Sequence, residues 1–534
     1  MQRIRSAVSA SIAFVAALAA AGAVTAAPAS AGTVPNQYIA KVYSEGLGRA
    51  PDASGWAASV RQFTLGTCDV AGLTTYGKTA LTSSEFLALP YDNTSRMLAA
   101  YRTILNRDPV AVDLANAVRL LDSRAVTWSA MLDSMFASPE FASLASAICS
   151  TSSPDYDFGI TPAPDVPTLG SGFTGTQAAL QATLNATPRG GVVTLAQRAV
   201  VRMSSTLTIP AGVTLRTTGS PGTSQYANMA RLVRADSWPT FAAAVVTLQP
   251  GARLDHVWVD GQMGTPDPGG VRRYASAAFN VRVLGGTGTT VSDNRLGNAA
   301  GATAISAGGG GDSGVTACVD NEYSRNFIEG YASDHDSGNW TDGVSVGCED
   351  AEVTGNTIVD ATDVPLIVFG QDGYTQRSRL DDNVIANPSQ SSFAALGVDA
   401  WNAYPRTGDG PGVSSRDFTG STLDGNLFWN TLRSTHAIGI TVGTRAWTGS
   451  YNYSGRGMAV RDNTRGSFGL YARTGIVVAG MHAATVTGNS LPDALVDDTS
   501  SCARAAVGAA VTAGYASGTI QGPYLDTDYS ACIG

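Results

Sequence analysis

The sequence predicts a mainly β protein: a right-handed parallel β-helix preceded by a small all-α domain. Three observations predict this fold class. An asparagine-centred motif recurs along the second half, turn-forming glycine is abundant with 60 residues in 534, and apolar residues recur at helical spacing before residue 150. We therefore divide the chain into residues 1–31, 33–150, 151–170 and 171–534.

Residues 1–31 have the pattern of a secretory signal peptide. The basic residues Arg3 and Arg5 precede an apolar run over residues 10–24, and Ala29-Ser30-Ala31 forms a small-x-small cleavage site. We therefore expect a secreted protein, extracellular or associated with the cell wall, that does not insert into the membrane once the signal is removed.

Six cysteines suit an exported protein because disulfides persist in oxidising compartments. Proximity in the sequence favours three pairs: Cys68 with Cys149, Cys318 with Cys348, and Cys502 with Cys532. No C-x-x-C motif is present, which disfavours a structural zinc site built from cysteines.

The charge distribution disfavours nucleic acid and anionic membranes as partners. The net charge is −9, charged residues make up only 14% of the chain, and no basic stripe is present. Lysine occurs only at Lys41 and Lys78, so the predicted β-helix contains none.

The helical domain consists of two similar halves. The first half contains the turn 47–52 and closes with Ser84-Glu85-Phe86, and the second contains the turn 105–109 and closes with Ser138-Pro139-Glu140-Phe141. The pattern resembles a helical domain of unknown function found on exported bacterial proteins, although Asn106 replaces the glycine of its L-G-R turn. Attachment to the cell surface, substrate targeting and a stabilising role remain open. Residues 151–170, rich in Pro, Ser and Thr, form a linker.

Residues from about 170 onward begin with a helix over 176–184, followed by the segments GGVVTL at 190–195 and LTIPAGVTL at 207–215. This order resembles the cap and first coils of the pectin-lyase-like β-helix superfamily. A cap is expected because the first coil would otherwise expose an open sheet edge.

A short unit, apolar-x-x-Asn-x-apolar, then repeats. It is centred on seven asparagines: Asn294, Asn326, Asn356, Asn383, Asn426, Asn463 and Asn489. Asparagine tolerates the left-handed conformation of a sharp turn, and stacked asparagines hydrogen-bond along a solenoid. A β-sandwich with asparagine turns is the alternative, but seven similarly framed units favour a solenoid.

Apolar strands between these units place polar residues in one column. Aligned on their apolar cores, the residues that precede the strands are Asp342, Asp363, Ser392, His436 and Thr474. Equivalent positions in adjacent coils lie about 4.8 Å apart, so Asp342 and Asp363 should be neighbours. Two carboxylates that flank one bond are what glycoside hydrolysis requires, whereas turn capping is the alternative role for each aspartate.

The segment Trp340-Thr341-Asp342-Gly343-Val344 resembles the N-T-D-G-I motif of polygalacturonase-like glycoside hydrolases, and Thr362-Asp363-Val364 occupies the place of their D-D pair. The resemblance implies Asp363 as general acid and Asp342 as water-activating base. This sequence departs from the family pattern in three respects. Trp340 replaces the asparagine of N-T-D, Val364 replaces the second aspartate of D-D, and the family's G-H-G and R-I-K motifs are missing. Without the Arg-Lys pair that grips a substrate carboxylate, we expect a neutral or non-pectic glycan.

Further residues complete the predicted site. Asp360 is either a second base or a turn residue. The candidates for substrate binding are Trp340, His335, Asp399, Trp401, Arg377 and His436, of which the tryptophans could stack on sugar faces or pack in the core. The loop with His335 and the turn with Arg377 could equally be solvated surface.

These observations predict a secreted glycoside hydrolase that cleaves a polysaccharide by paired-aspartate catalysis with inversion. A polysaccharide lyase on the same fold and a non-catalytic glycan-binding surface protein are the alternatives. No metal site or cofactor is predicted to be required, although calcium is conceivable for a lyase. The expected partner is the polysaccharide itself, with the helical domain as a possible point of association with the cell wall.

Overall fold

The computed structural model describes residues 34–150, 166–235, 238, 243–262, 274–275, 277–308, 318–330, 338–370, 375–400, 414–443, 453–479, 481–490 and 494–495. Two compact units divide the chain, residues 1–166 and 167–534. The signal peptide predicted for residues 1–31 lies outside the described residues. None of the helices in the described ranges has the length and apolar character needed to cross a lipid bilayer.

The first unit is helical. Its helices are α1 Asn36–Lys41, which continues into a π-helical turn Val42–Gly46, α2 Ala53–Leu65, α3 Val70–Leu81, α4 Ser84–Ala88, α5 Asn93–Leu105, α6 Ala111–Asp122, α7 Trp128–Phe136 and α8 Pro139–Cys149. Aspartate side chains begin three of them: Asp52, Asp69 and Asp92 each accept a hydrogen bond from the backbone N–H three residues on. Local sequence therefore determines where these helices start.

The internal duplication seen in the sequence is repeated in three dimensions. Arg49 pairs with Glu85 in the first half, and Arg107 pairs with Glu140 in the second, both at 2.5 Å. Asn106, which replaces a glycine of the motif, has a φ of 55°, close to the 67° of Gly48. The departure is conformationally neutral because asparagine tolerates the left-handed region.

The second unit begins with helix α9 Gln177–Ala186 and continues as β-strands. The strands are β1 Val192–Leu195, β2 Val200–Met203, β3 Leu207–Ile209, β4 Thr214–Thr217, β5 Ala230–Arg234, β6 Ala244–Leu248, β7 Arg253–Asp255, β8 Val257–Asp260, β9 Phe279–Leu284, β10 Gly286–Thr287, β11 Thr290–Ser292, β12 Arg295–Gly297, β13 Thr303–Gly308, β14 Cys318–Val319, β15 Glu322–Ser324, β16 Phe327–Glu329, β17 Asp342–Gly347, β18 Glu352–Thr354, β19 Thr357–Val359, β20 Leu366–Phe369, β21 Arg379–Asp381, β22 Val384–Asn387, β23 Ser392–Asp399, β24 Ser414–Asp417, β25 Thr422–Asp424, β26 Leu427–Asn430, β27 His436–Gly443, β28 Tyr453–Arg456, β29 Ala459–Arg461, β30 Tyr471–Ala479, β31 Met481–His482, β32 Thr485–Thr487 and β33 Ala494–Leu495.

Three long parallel sheets enclose one apolar core, which confirms the predicted right-handed parallel β-helix. Sheet A has the order β1-β4-β7-β11-β15-β18-β21-β25-β29-β32, sheet B the order β2-β5-β8-β12-β16-β19-β22-β26, and sheet C the order β3-β6-β9-β13-β17-β20-β23-β27-β30-β33. Each coil up to β26 thus adds one strand to each sheet in turn, and beyond β26 the sheet B position continues as isolated bridges at Thr464 and Ser490. Short sheets β10-β14 and β24-β28-β31 lie outside this frame.

Helix α9 caps the first coil, as predicted. Leu180 and Leu184 are fully buried against the solenoid core. The Gln181 side chain exchanges two hydrogen bonds of 2.8 Å with the backbone of Thr208 in β3. An amide side chain thus satisfies backbone groups that would otherwise form an open edge. Leu169 pairs with Gln197, so the chain already contacts the solenoid within the predicted linker.

The seven asparagines form the predicted ladder at the turn from sheet A to sheet B. Each asparagine from Asn294 to Asn463 donates its Nδ2 to the Oδ1 of the next, at 2.8–3.1 Å. The left-handed residue is not the asparagine but its predecessor, as at Asp293 with φ 57° and Gly355 with φ 65°. The left-handed turn aims the asparagine side chain inward, where it bonds the neighbouring coils.

Two of the three predicted disulfides are present. Cys68 is bonded to Cys149 within the helical unit, and Cys318 is bonded to Cys348 across successive coils of the solenoid. The predicted pair Cys502 and Cys532 lies outside the described residues.

Candidate active site

Polar residues form a ladder at the amino ends of neighbouring strands in sheet C. The members of this polar ladder are Thr303, Asp342, Asp363, Ser392 and His436. Thr303 pairs with Asp342, and Ser392 pairs with His436, in the register of the sheet. The strands that follow these residues are apolar and buried in the core, so their burial fixes where each coil begins.

Backbone hydrogen bonds place Asp363 on the rung that follows Asp342. The amides of Thr362 and Asp363 donate to the carbonyl of Thr341 at 3.0 and 3.1 Å, and the Asp363 carbonyl accepts from the Phe393 amide at 3.0 Å. Backbones of adjacent rungs lie about 4.8 Å apart. The structure therefore places the two aspartates in successive coils. Val344 pairs with Leu366, which sets Asp342 opposite Val364, so Asp363 lies one residue before the position that the sequence alignment assigned to it.

The fifth position of the predicted column is wrong. His436 pairs with Ala472, whereas Thr474 pairs with Ile438, two residues further along the strand. Strand β30 begins at Tyr471 and is longer than its neighbours, so its apolar centre lies deeper in the strand than the sequence alignment assumed. The polar ladder therefore ends at His436.

The carboxylate of Asp342 is held by donors from three directions. Its Oδ1 accepts from the Val364 amide at 2.9 Å, and its Oδ2 accepts from the Ser345 hydroxyl at 2.7 Å and the Thr303 hydroxyl at 3.5 Å. Only 7% of the residue is exposed. These three donors fix the orientation of the carboxylate within the site.

Tyr274 is a member of the site that sequence analysis missed. Its hydroxyl donates to the carbonyl of Trp340 at 2.8 Å. Burial, together with the smaller effect of the negative charges of Asp363 and Asp342, raises the pKa of Tyr274 to about 12. The phenol therefore lies in the field of both carboxylates and stays protonated at neutral pH. Nothing in the sequence around Tyr274 marks it, because it belongs to a connection two coils before Asp342.

Trp340 and Phe393 form the aromatic part of the site. Their rings meet edge to face at a centroid distance of 4.5 Å, and 36% of Trp340 is exposed. Trp340 precedes Asp342 by two residues, and Phe393 follows Asp363 on the next rung. The partly exposed ring of Trp340, two residues before Asp342, provides an apolar surface of the kind on which sugar rings stack.

Asp360 has the geometry of a turn residue rather than of a second base. It is fully buried with a left-handed φ of 54°, and its carboxylate accepts from the Ser389 amide and hydroxyl and from the Gln390 amide. Burial raises the pKa of Asp360 to about 6, although these hydrogen bonds oppose the shift. A carboxylate enclosed in this way has no surface to present to a substrate.

His436 is the last member of the polar ladder and is fully buried. Its Nδ1 lies 2.5 Å from the Ser392 hydroxyl on the preceding rung. The contact joins two neighbouring rungs of sheet C. A fully buried histidine can act on a substrate only through its neighbours.

Arg377 and Asp399 lie at the opposite end of sheet C. The Arg377 guanidinium pairs with Asp350 at 2.7 Å and also with Glu349, on the turn that leads to sheet A. Asp399 is the last residue of β23, seven residues beyond Ser392, which corresponds to about 23 Å along the strand. One sugar ring cannot contact these residues and the paired aspartates together. His335 and Trp401 lie outside the described residues.

Comparisons with known proteins report the following. No protein-family model matches the chain, and no curated protein matches it. Among solved structures, a mutant tailspike protein of E. coli bacteriophage HK620 in complex with a hexasaccharide is similar at a TM-score of 0.30 and 12% identity, over 62% of this chain and 64% of that chain. The tailspike protein of the same bacteriophage in complex with a pentasaccharide is similar at a TM-score of 0.28 and 11% identity, over 63% of this chain and 65% of that chain. A PL6 alginate lyase in complex with a trisaccharide is similar at a TM-score of 0.23 and 14% identity, over 59% of this chain and 57% of that chain.

Proposed function

We propose that this chain is an exported glycoside hydrolase that cleaves a polysaccharide, with Asp342 and Asp363 as its catalytic pair. The observation that carries the proposal is the placement of two aspartates on successive rungs of sheet C, beside the exposed ring of Trp340. Two carboxyl groups that both act on the Tyr274 phenol, with an aromatic surface for a sugar ring, supply the groups that glycosidic bond cleavage needs.

The contacts of Asp342 support a division of roles between the two aspartates. Asp342 accepts from an amide and two hydroxyls, which favours the carboxylate, so it takes the proton of the attacking water. An ionised Asp342 disfavours a second negative charge beside it, so Asp363 carries the proton and donates it to the leaving glycosidic oxygen. The water oxygen bonds to the anomeric carbon as the bond to the leaving oxygen breaks.

A neutral sugar is the substrate class that the charges support. The solenoid contains no lysine, and the Arg377 guanidinium is already paired with two acidic side chains. Neither a lysine of the solenoid nor the paired Arg377 is therefore available to bind a substrate carboxylate. We assign inversion of the anomeric centre, because side chains on adjacent rungs can splay to the separation that admits a water molecule. Proton NMR of the first-formed anomer checks this assignment.

The two disulfides support a location outside the cytosol. Bonds such as Cys68–Cys149 and Cys318–Cys348 persist where the environment is oxidising. We propose that the helical unit serves attachment to the cell wall or to the substrate, a role that deletion of residues 33–150 followed by cell fractionation and a binding assay tests.

The decisive experiment measures release of reducing ends from a panel of neutral and acidic polysaccharides by the full chain. We expect turnover of a neutral glycan, and a loss of about 10²–10⁴-fold in kcat/KM for Asp342→Asn and for Asp363→Asn. Asp462→Asn is the matched control, because Asp462 is a left-handed turn residue between sheets A and B. It should retain full activity.

Two outcomes would replace the proposal by one of its alternatives. Ultraviolet absorbance of a newly formed carbon–carbon double bond in the product would identify a lyase. Glycan binding without turnover by the wild-type chain would identify a binding protein. Tyr274 is a poor base for a lyase because its pKa of about 12 keeps the phenol protonated.

A further inference from the structure

A second cluster of chemically reactive side chains lies at the turn from sheet A to sheet B, on a different face of the solenoid from the polar ladder. Asp255 ends strand β7, His256 follows it, and Asp293 occupies the equivalent turn position in the next coil. Ligand atoms of these three residues all lie within 4.8 Å of one another, and the three residues are half-buried. The solenoid repeat itself produces this juxtaposition.

The backbone explains why these side chains converge. His256 and Asp293 both have left-handed backbones, with φ of 52° and 57°, and the His256 amide donates to the Ser292 carbonyl of the next coil. They are therefore stacked members of one column of turns. Asp255 pairs with Ser292 in sheet A, and Ser292 directly precedes Asp293, so the Asp255 carboxylate lies at the same turn as the other two residues.

A carbonyl outside the cluster fixes the tautomer of His256. Its Nδ1 lies 3.1 Å from the carbonyl oxygen of Pro221, which can only accept, so Nδ1 carries the proton. The Nε2 lone pair is then available toward the carboxylates, and Nε2 lies 3.4 Å from Asp255 Oδ1. Histidines that bind metals are commonly oriented by such a second hydrogen bond to a backbone carbonyl.

The donor set selects the class of ion. We propose that Asp255, His256 and Asp293 bind a first-row divalent transition metal, with zinc as the reference ion. Two ligand atoms that each lie about 2.0 Å from a tetrahedral metal ion are roughly 3.3 Å from each other. The distance of 3.4 Å between His256 Nε2 and Asp255 Oδ1 already matches this value. Small rotations of the Asp293 side chain bring its carboxylate to the same distance. An imidazole nitrogen with two carboxylates suits zinc and its neighbours, whereas calcium and magnesium favour sites made of oxygen alone.

A nearby cation sets the affinity. Arg325, on the coil after Asp293, donates from its guanidinium to both carboxylate oxygens of that aspartate at 2.8–3.2 Å. A bound metal shares Asp293 with this arginine and is repelled by its charge. We therefore expect the site to bind zinc with moderate affinity that increases when the charge of Arg325 is removed.

The site has a structural consequence that is independent of the proposed hydrolase. An ion held by Asp255, His256 and Asp293 bridges two successive coils near the start of the solenoid. Because the unfolded chain does not assemble the three ligands, zinc binding stabilises the folded state.

The test titrates zinc into the full chain after chelator treatment, with isothermal titration calorimetry and thermal unfolding as readouts. His256→Asn keeps a residue that tolerates the left-handed turn, and Asp293→Asn does the same at the second ligand. Each should weaken zinc binding at least about tenfold and abolish the zinc-dependent rise in melting temperature. Arg325→Gln should bind zinc more tightly than the wild type.

The matched control is Asp382→Asn, a left-handed residue of the same column of turns in a later coil, with φ 57°. Its zinc affinity should equal that of the wild type. A wild-type chain that takes up no zinc at submillimolar concentration overturns the proposal. So does an affinity unchanged by His256→Asn, or equal binding of calcium. Circular dichroism without metal confirms that each variant is folded, and hydrolase activity is not a readout.

Discussion

At the scale of single residues, the proposed roles of the two aspartates rest on the contacts that surround them. The carboxylate of Asp342 accepts from three donors, and the backbone of Asp363 bonds the rungs on either side of it. Tyr274 adds a protonated phenol in the field of both carboxylates. The proposed division into base and acid requires that different neighbours prepare the same residue type for two roles.

Tyr274→Phe tests the third member of this group. The change removes the hydrogen bond of 2.8 Å to the Trp340 carbonyl and leaves the ring in place. We expect kcat/KM on the responsive glycan to fall about fivefold, because the segment with Trp340 and Asp342 loses one anchor worth about 1 kcal/mol. Steady-state kinetics measures the effect. Tyr471→Phe, on strand β30, is the control, and an equal loss in both variants would show that Tyr274 has no special role.

Asp360 predicts a pH dependence of stability. Burial raises its folded-state pKa from 3.8 to about 6, so between these values the folded state binds more protons than the unfolded state. Stability from this group is therefore highest at low pH and falls as pH rises through 6. Relative to Asp360→Asn, the wild type should lose about 3 kcal/mol between pH 3.5 and pH 7.

Chemical unfolding of both proteins at several pH values, followed by circular dichroism, measures this difference. The variant also loses hydrogen bonds to Ser389 and Gln390, so its absolute stability is lowered at every pH, and only the pH-dependent part is diagnostic. A constant difference across the range would mean that Asp360 keeps an ordinary titration in the folded state.

The solenoid repeat explains how much of the candidate site the sequence predicts. Parallel coils repeat the same position at a fixed spacing, so the alignment predicts that Asp342, Asp363 and His436 lie in one column. The structure places Asp342 and Asp363 in successive coils, with Asp363 one residue out of the predicted register. Tyr274 was missed because it lies in a connection between coils, where no repeat constrains position. The sequence analysis groups Arg377 and Asp399 with the site, but the length of a strand separates them from it. A sequence alignment shows which strands stack on one another, but not at which end of those strands the site lies.

At the scale of elements, the asparagine ladder explains how short strands hold together at the turn from sheet A to sheet B. Each member bonds a backbone amide and a backbone carbonyl as well as the next asparagine. The sequence motif identified the ladder but assigned the left-handed backbone to the asparagine. The structure assigns it to the preceding residue, because a residue with left-handed φ turns the next side chain into the core.

Asn383→Ala tests the ladder at its centre. Asn383 donates to the Val353 carbonyl at 2.8 Å and accepts from the Asn356 amide at 3.0 Å, and both are buried. Removal leaves these groups without partners, so we expect a loss of about 3 kcal/mol or more in unfolding free energy. Urea unfolding measures it.

Asn489→Ala is the comparison at the end of the ladder. Asn489 is 9% exposed, so water can replace some of its bonds, and we expect a smaller loss than for Asn383→Ala. Equal losses at both positions would show that stacking between neighbouring asparagines, rather than satisfaction of buried backbone groups, determines the stability of this turn.

At the scale of the whole molecule, two units differ in the way they are stabilised. The solenoid has one continuous core that runs through its coils, and its Cys318–Cys348 bond closes a short segment of 30 residues. The helical unit is small, and its Cys68–Cys149 bond spans 81 residues of about 117 described. A disulfide that closes a longer loop restricts the unfolded chain more strongly.

The last prediction follows from this difference. Loop-closure entropy assigns about 4.5 kcal/mol to the bond Cys68–Cys149 and about 3.6 kcal/mol to Cys318–Cys348. Stability of a small helical unit is of the same order, so the double change Cys68→Ser with Cys149→Ser should unfold much of it at 37 °C. The solenoid should keep its fold in this variant, because its core contains neither cysteine.

Hydrogen exchange measured by mass spectrometry separates the two units in one sample. Peptides from helix α5 should lose protection in the double variant, whereas peptides from strands β22 and β23 should match the wild type. Cys318→Ser with Cys348→Ser is the matched control, for which loss of protection should be confined to the solenoid coils around β14 and β17. Loss of protection in both units of either variant would show that the helical unit and the solenoid fold as one cooperative body, and the entropic argument would then apply to the whole chain.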